Sequence, residues 1–232
     1  MKPSLATPPS SPAAARELQT RLAMRVRLEN TLPADVRTVA GLDAGIDRRH
    51  RRVRGAAVLC DARSLEPLAV AVAERPIEFP YVPGLLSFRE LPALLEALDA
   101  LPQRPDLLLC DGQGVAHPRR FGLAAHLGVV AELPSIGVAK SRLCGSHAAL
   151  GPGAGDCVPL YDGEECIGHV LRSRAGCRPL YVSAGHRLDQ ITALDWVRRC
   201  LKGRRLPEPI RLADRLASRR RGASPAAPAR RR

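Results

Sequence analysis

Aromatic residues are scarce in this chain: one Trp, three Tyr and three Phe make up 3% of its 232 residues. Aliphatic side chains must therefore build the core, and any aromatic outside an apolar run stands out. The seven cysteines, at 60, 110, 144, 157, 166, 177 and 200, include no CxxC pair. That disfavours a zinc ribbon or a disulfide framework. The odd count suits a reducing compartment, where thiols act as small apolar fillers. No stretch approaches the roughly 18 to 20 apolar residues of a transmembrane helix. The N-terminal MKPSLATPPSSPAAARELQ also lacks the apolar centre of a signal peptide. The expectation is a cytoplasmic protein with no membrane partner. Negative charge is in deficit too, with 36 Lys and Arg against 23 Asp and Glu and a net charge of +13. A positive surface attracts a polyanion, nucleic acid first; a basic solubilising surface is the plainer alternative.

What is present suffices for one domain, since 45% of the residues are hydrophobic. Residues 1–12, rich in Pro and Ser, and residues 218–232, made of Arg, Ala, Pro and Ser with one Gly, read as flexible tails around a single domain at 13–217. The basic C-terminal tail could touch phosphates as an arm or be merely solvated. Within the domain the pattern predicts a helix over 13–29 and three strands near 36–45, 54–61 and 67–75, spaced as a meander. It continues with a helix at 87–101, a strand at 106–110, a helix at 119–130, a strand at 135–139, a strand pair near 165–170 and 179–183, and helices at 188–202 and 208–217. Three strands followed by strand-helix alternation indicate an α/β fold with a central mixed sheet.

Three carboxylates interrupt this pattern. Asp43, in TVAGLDAGI, breaks an apolar strand, and Gly41 and Gly45 leave room beside it for a ligand or another backbone. A buried carboxylate must be paired or metal-bound; otherwise Asp43 is a turn residue. Asp111, in DLLLCDGQGVAHP, follows the most apolar strand, and strand carboxyl ends are where α/β sheets bind ligands. Its Asp-Gly pair also suits an ordinary turn. Glu90, in YVPGLLSFRE, completes S-x-x-E with Ser87, so it either caps a helix or approaches the other two carboxylates from the first helical turn. Convergent carboxylates suit a hard cation such as Mg²⁺, which takes oxygen ligands. Such an ion assists phosphodiester hydrolysis, and the basic surface matches that substrate.

The stretches VAGLDAGI, YVPGLLSFRE, LLLCDGQGVAHPRRFGLAAHLGV, PSIGVAKSRLCG, CRPLYVSAGHR and ALDWVRRCLKGRRLPEPIRLAD resemble the endonuclease V family, in order, over about residues 36–220. The resemblance implies a ribonuclease H-like fold. It implies cleavage of DNA at the second phosphodiester 3′ to deoxyinosine, with Mg²⁺ or Mn²⁺. Asp43 and Asp111 would bind the metal, Glu90 would complete the carboxylates, and Asp214 would stand where the family supplies a fourth ligand. Tyr81, Pro83 and Gly84 fall in the strand-separating wedge, where two prolines stiffen the loop and Tyr81 can stack into the gap left by an extruded base. Tyr81 as a core aromatic is the alternative. Gly84, Gly112 and Gly114 would let backbone amides approach the base. Lys140 matches a lysine near the scissile phosphate, where a cation offsets developing charge. His117 and His126 either contact DNA or serve the structure. Gln113 departs from the family, which carries His there in many members. The partner would be DNA with deaminated bases, cut by a monomer; inosine-containing RNA is the competing substrate, and a non-catalytic nucleic-acid-binding module the competing class.

Overall fold

A computed structural model describes residues 9–218. Among these, eight strands form one mixed sheet in the order β3-β2-β1-β4-β5-β8-β7-β6. β1 (Thr38–Asp47), β2 (Arg52–Asp61) and β3 (Pro67–Pro76) make the expected antiparallel meander. β1, β4 (Leu107–Cys110) and β5 (Ser135–Ala139) run parallel, joined through α2 (Leu86–Asp99) and α3 (Leu123–Ala131). β6 (Cys157–Asp162), β7 (Glu165–Leu171) and β8 (Leu180–His186) return antiparallel. This is the mixed α/β architecture expected of a ribonuclease H-like chain.

Two apolar layers enclose the sheet. On one face, Val39, Val58, Leu107 and Leu109 pack under α4 (Gln190–Arg199) and α5 (Glu208–Ala217) through Trp196, Val197, Ile210 and Ala213. On the other, Ala40, Leu42, Leu108 and Cys110 pack under α2 and α3 through Leu91, Leu94, Leu98 and Leu127. Alternate strand residues thus feed opposite layers, as the strand period of two requires. α1 (Pro12–Ala23), capped by Ser11 Oγ on the Ala14 N–H at 3.2 Å, lies outside α3, with Leu22 against Phe121 and Val129.

Several boundaries differ from expectation for local reasons. α1 stops at Ala23, short of 29, because the following backbone is drawn into tertiary bonds: the Arg187 N–H donates to the Arg27 carbonyl at 2.7 Å. α3 starts at Leu123, after Arg120 turns the chain at a φ of +53°. Strand β6 has no counterpart in the pattern. It carries Pro159, which an edge strand tolerates because one side needs no N–H donors. The tail assignments at 1–12 and 218–232 fall almost wholly outside the described residues; Pro12 already opens α1.

Candidate active site

The β1–β4 register pairs Leu42 with Cys110, and the Asp111 N–H continues the ladder by donating to the Leu42 carbonyl at 2.9 Å. Asp43 and Asp111 therefore emerge side by side where the two strands end their pairing. Asp214, on α5, joins them: one oxygen from each of the three carboxylates lies within 4.8 Å of the others. Lys140, just past β5, places Nζ 2.5 Å from Asp111 Oδ2 and 2.9 Å from Asp214 Oδ1. Glu90 is buried on α2, outside this trio yet near enough for its charge to interact with Asp43 and Asp111.

The glycines beside Asp43 explain how α5 gets so close. A Cβ on Gly41 would lie 2.1 Å from the Pro209 carbonyl, and one on Gly45 would lie 2.3 Å from the Ala217 carbonyl. The room that these glycines leave is taken by the α5 backbone, which carries Asp214 to the strand. Gly55 likewise admits the backbone at Ala93 of α2, the helix that carries Glu90.

Crowding carboxylates in a half-buried site opposes their ionisation. Burial, then the Asp111 charge, pushes Asp43 up to about 7. Burial chiefly, with Asp43 and Asp111 adding, pushes Glu90 up to about 8 against the lowering effect of Arg89. Burial also raises Asp111, and Lys140 pulls it back. Burial works against the Lys140 ammonium too, but Asp111, Asp214 and Asp43 together outweigh it and keep the lysine charged above its ordinary range. A site that holds three acidic groups within reach of one point, with their charges only partly offset by one lysine, fits a divalent cation with oxygen ligands.

A cavity of about 340 Å³ opens beside Asp111 and Lys140, walled by Tyr81, Pro83, Gly84 and Gly112. Tyr81 is 67% exposed, which removes the core-aromatic alternative, and the Arg89 guanidinium stands 5.3 Å from its ring centre. The backbone amides of Gly112 and Gly114 are not directed at this space: they donate to the Val138 carbonyl at 3.3 Å and to Ser183 Oγ at 2.9 Å. Gly114 is a packing glycine, since a Cβ there would meet the Ala184 carbonyl at 2.1 Å. Gln113 lines the cavity and donates Nε2 to the Ser141 carbonyl at 3.0 Å.

Two sequence alternatives resolve towards structure. Ser87 is not a helix cap: it is the second residue of α2, its Oγ 3.1 Å from His126 Nδ1, and Leu85 at the cap position makes no side-chain bond. His126 is fully buried between the rings of Phe88 and Phe121, at 5.0 and 4.9 Å, and so serves the core. Three further residues were given no role by the sequence. Arg205 donates to the carbonyls of Lys140, Pro179 and Arg178 at 3.0, 3.1 and 2.9 Å, fixing the backbone that presents Lys140. Arg119 donates to Gln19, which lines the cavity. Arg119 and Arg205 lie within the family-like stretches, and Gln19 shows as a polar residue on the Ala15, Leu18, Leu22 stripe of α1.

The geometry coincides with a known family. Residues 20–215 match the family model for endonuclease V. An endonuclease V of Xanthomonas axonopodis pv. citri is 55% identical over 206 residues, 89% of this chain and 87% of that one. The crystal structure of the Streptomyces avermitilis endonuclease V superposes with a TM-score of 0.85 at 44% identity, covering 90% of this chain and 92% of that one. A Ciona intestinalis endonuclease V, solved with a 24mer DNA containing an inosine followed by a ribo-adenosine, superposes at 0.77 with 25% identity, over 88% of this chain and 95% of that one. With its carboxylates gathered where the pairing of β1 and β4 ends and most of its length matched, this chain belongs to the endonuclease V family.

Proposed function

We propose that this chain is a Mg²⁺-dependent DNA repair endonuclease that recognises deoxyinosine and hydrolyses the second phosphodiester bond on its 3′ side, with Mn²⁺ able to replace Mg²⁺. The observation that carries this reading is the trio Asp43, Asp111 and Asp214 beside a cavity whose wall includes an exposed tyrosine. Those three residues would hold the cation, and Glu90 completes the acidic set. When bound, a divalent ion supplies charge stabilisation and activates water at the scissile phosphate.

The remaining work falls to the protein's own groups. Tyr81, braced by Arg89 and by the prolines that flank its loop, stacks against the base pair opened at the lesion. Pro83, Gly84 and Gly112 wall the space that receives the extruded base, with Gly114 supporting that wall from the β8 side. Extrusion favours a deaminated base, because a weakened pair resists unstacking less. Lys140, held above its ordinary range by Asp111, Asp214 and Asp43, presents a fixed positive charge to the phosphate. The net charge of +13 draws in the backbone on both sides. All these residues come from one chain, within residues 13–217, so a cytoplasmic monomer suffices; no described helix is long and apolar enough to cross a membrane.

The test is cleavage of an end-labelled duplex with a single deoxyinosine, in Mg²⁺ or EDTA, by wild type and Asp43→Asn. A Mg²⁺-dependent nick 3′ to the lesion, lost in the variant, supports the reading. Because the Ciona protein is seen with a ribonucleotide after inosine, an inosine-containing RNA is run in parallel. RNA cut much faster than DNA would replace the substrate, and binding to either polymer without any nick would leave only a damage-binding module.

A further inference from the structure

A buried polar staple borders the cavity. Gln19 of α1 is 1% exposed, and both hydrogens of its amide are used: Nε2 donates to the Gly84 carbonyl at 3.0 Å and to the Phe121 carbonyl at 2.7 Å. Its Oε1 accepts from Arg119 Nε at 2.5 Å. Arg119 Nη2 donates to the same Gly84 carbonyl at 3.0 Å, and so does His117 Nε2, also at 3.0 Å. His117 accepts the Arg119 N–H at Nδ1, 3.1 Å, which leaves its one proton on Nε2, facing Gly84. Burial pushes the histidine down to about 4, consistent with that neutral form.

These bonds join segments remote in sequence: the Tyr81–Gly84 loop, the 117–121 turn and α1. Gly84 itself has a φ of +77°, and a Cβ there would lie 2.9 Å from Arg119 Nη2, so the loop is shaped around the staple. Docking of α1 does not need Gln19. Ala15 and Leu18 pack on Phe79, Leu85 and Phe88, and Leu22 packs on Phe121 and Val129. An apolar residue would extend that stripe, whereas a buried amide is tolerated only when its hydrogen bonds are made. Gln19 also lines the cavity and precedes the segment matched to the family, which starts at residue 20.

We propose that Gln19 is a positioning residue that fixes the wedge loop relative to the opposite cavity wall, so that the position of Tyr81 and the space for the base are set before the duplex opens. The inference rests on the function proposed above. Preorganisation of this kind acts on strand opening, leaving the carboxylates untouched.

The test compares wild type, Gln19→Glu and Gln19→Met on a duplex and on a single strand, each with one deoxyinosine. Glutamate keeps the size of glutamine but sets an oxygen against the Gly84 and Phe121 carbonyls; methionine keeps the volume and removes the three bonds that Gln19 makes. The expected result is a duplex kcat/KM lower by roughly tenfold or more, the scale of one to two lost hydrogen bonds, carried mainly by KM. Cleavage of the single strand, which needs no opening, should change little. A 2-aminopurine beside the lesion should lose its fluorescence rise on binding. Duplex rates equal to wild type, or duplex and single-strand rates falling in parallel, would overturn the proposal. Should limited proteolysis show α1 detached in both variants, Arg119→Lys, which weakens the staple from the other side, decides by the same duplex-to-single-strand ratio. Absence of any nick by wild type would instead overturn the proposed function.

Discussion

The carboxylates and the neighbouring cavity are held in opposite ways. Asp43, Asp111 and Asp214 ride on two strands and a helix that meet backbone to backbone, at Gly41 and Gly45. The cavity is walled by irregular segments, 80–84, 112–122 and 140–143, tied together through side chains such as Gln19, Arg119 and Gln113. The difference teaches where each requirement of the proposed function lies: a reacting centre needs positions fixed to fractions of an ångström by regular structure, whereas a surface that is to admit and release a base needs segments that can be adjusted singly.

Substitutions can break that division. Asp111→Asn should lower single-turnover nicking by roughly a thousandfold, the scale of removing one member of a charge-stabilising set, with lesion binding retained. A variant that still nicks within tenfold of wild type would remove Asp111 from the reacting centre. Gly41→Ala should destabilise the fold by about 2–4 kcal/mol in urea, because its Cβ would collide with the Pro209 backbone. It should also weaken Mn²⁺ binding by drawing Asp214 away; unchanged affinity would show that α5 adapts without moving the carboxylate. Tyr81→Ala removes an exposed side chain and should weaken binding to the lesion duplex roughly tenfold with no change in melting temperature.

The smallest expected effect concerns stability alone. The Asp43 carboxyl is raised from its ordinary 3.8 to about 7 in the folded protein. Folding therefore holds this proton more tightly than the unfolded chain does, and stability is lost as pH rises between those two values. Above pH 7, in EDTA, Asp43→Asn should be more stable than wild type, and near pH 4 the two should converge. Urea midpoints at both pH values check this; a variant less stable at pH 8 would mean that the carboxylate is held by its neighbours more strongly than it is opposed by burial.

The sheet and two of the three convergent carboxylates were legible because each rests on a local contrast. Asp43 and Asp111 are charges at the ends of apolar runs, and the meander shows as evenly spaced strands. Two kinds of feature were not. Edge strand β6, with Pro159 and few buried side chains, has neither the alternation nor the apolarity that a half-buried strand needs. Contacts made across the fold leave no local trace: that Gly41 and Gly45 receive a helix, or that Ser87 faces His126 in place of capping α2, depends on elements remote in the chain. Asp214 shows the same limit, since α5 alone reads as a surface helix and only its seat on β1 gives the carboxylate a partner.

That seat also sets the order in which competence arises. Asp43 and Asp214 are separated by nearly the whole domain, and α5 is the last described element. A growing polypeptide can pair β1 with β2 and then with β4, yet until α5 follows, the trio lacks a member and the glycine-lined side of β1 stays bare. Prematurely terminated chains that stop before residue 208 would carry the positive surface and the cavity walls but an incomplete cutting centre. Among the described elements, the segment that arms the molecule is thus the last to be made.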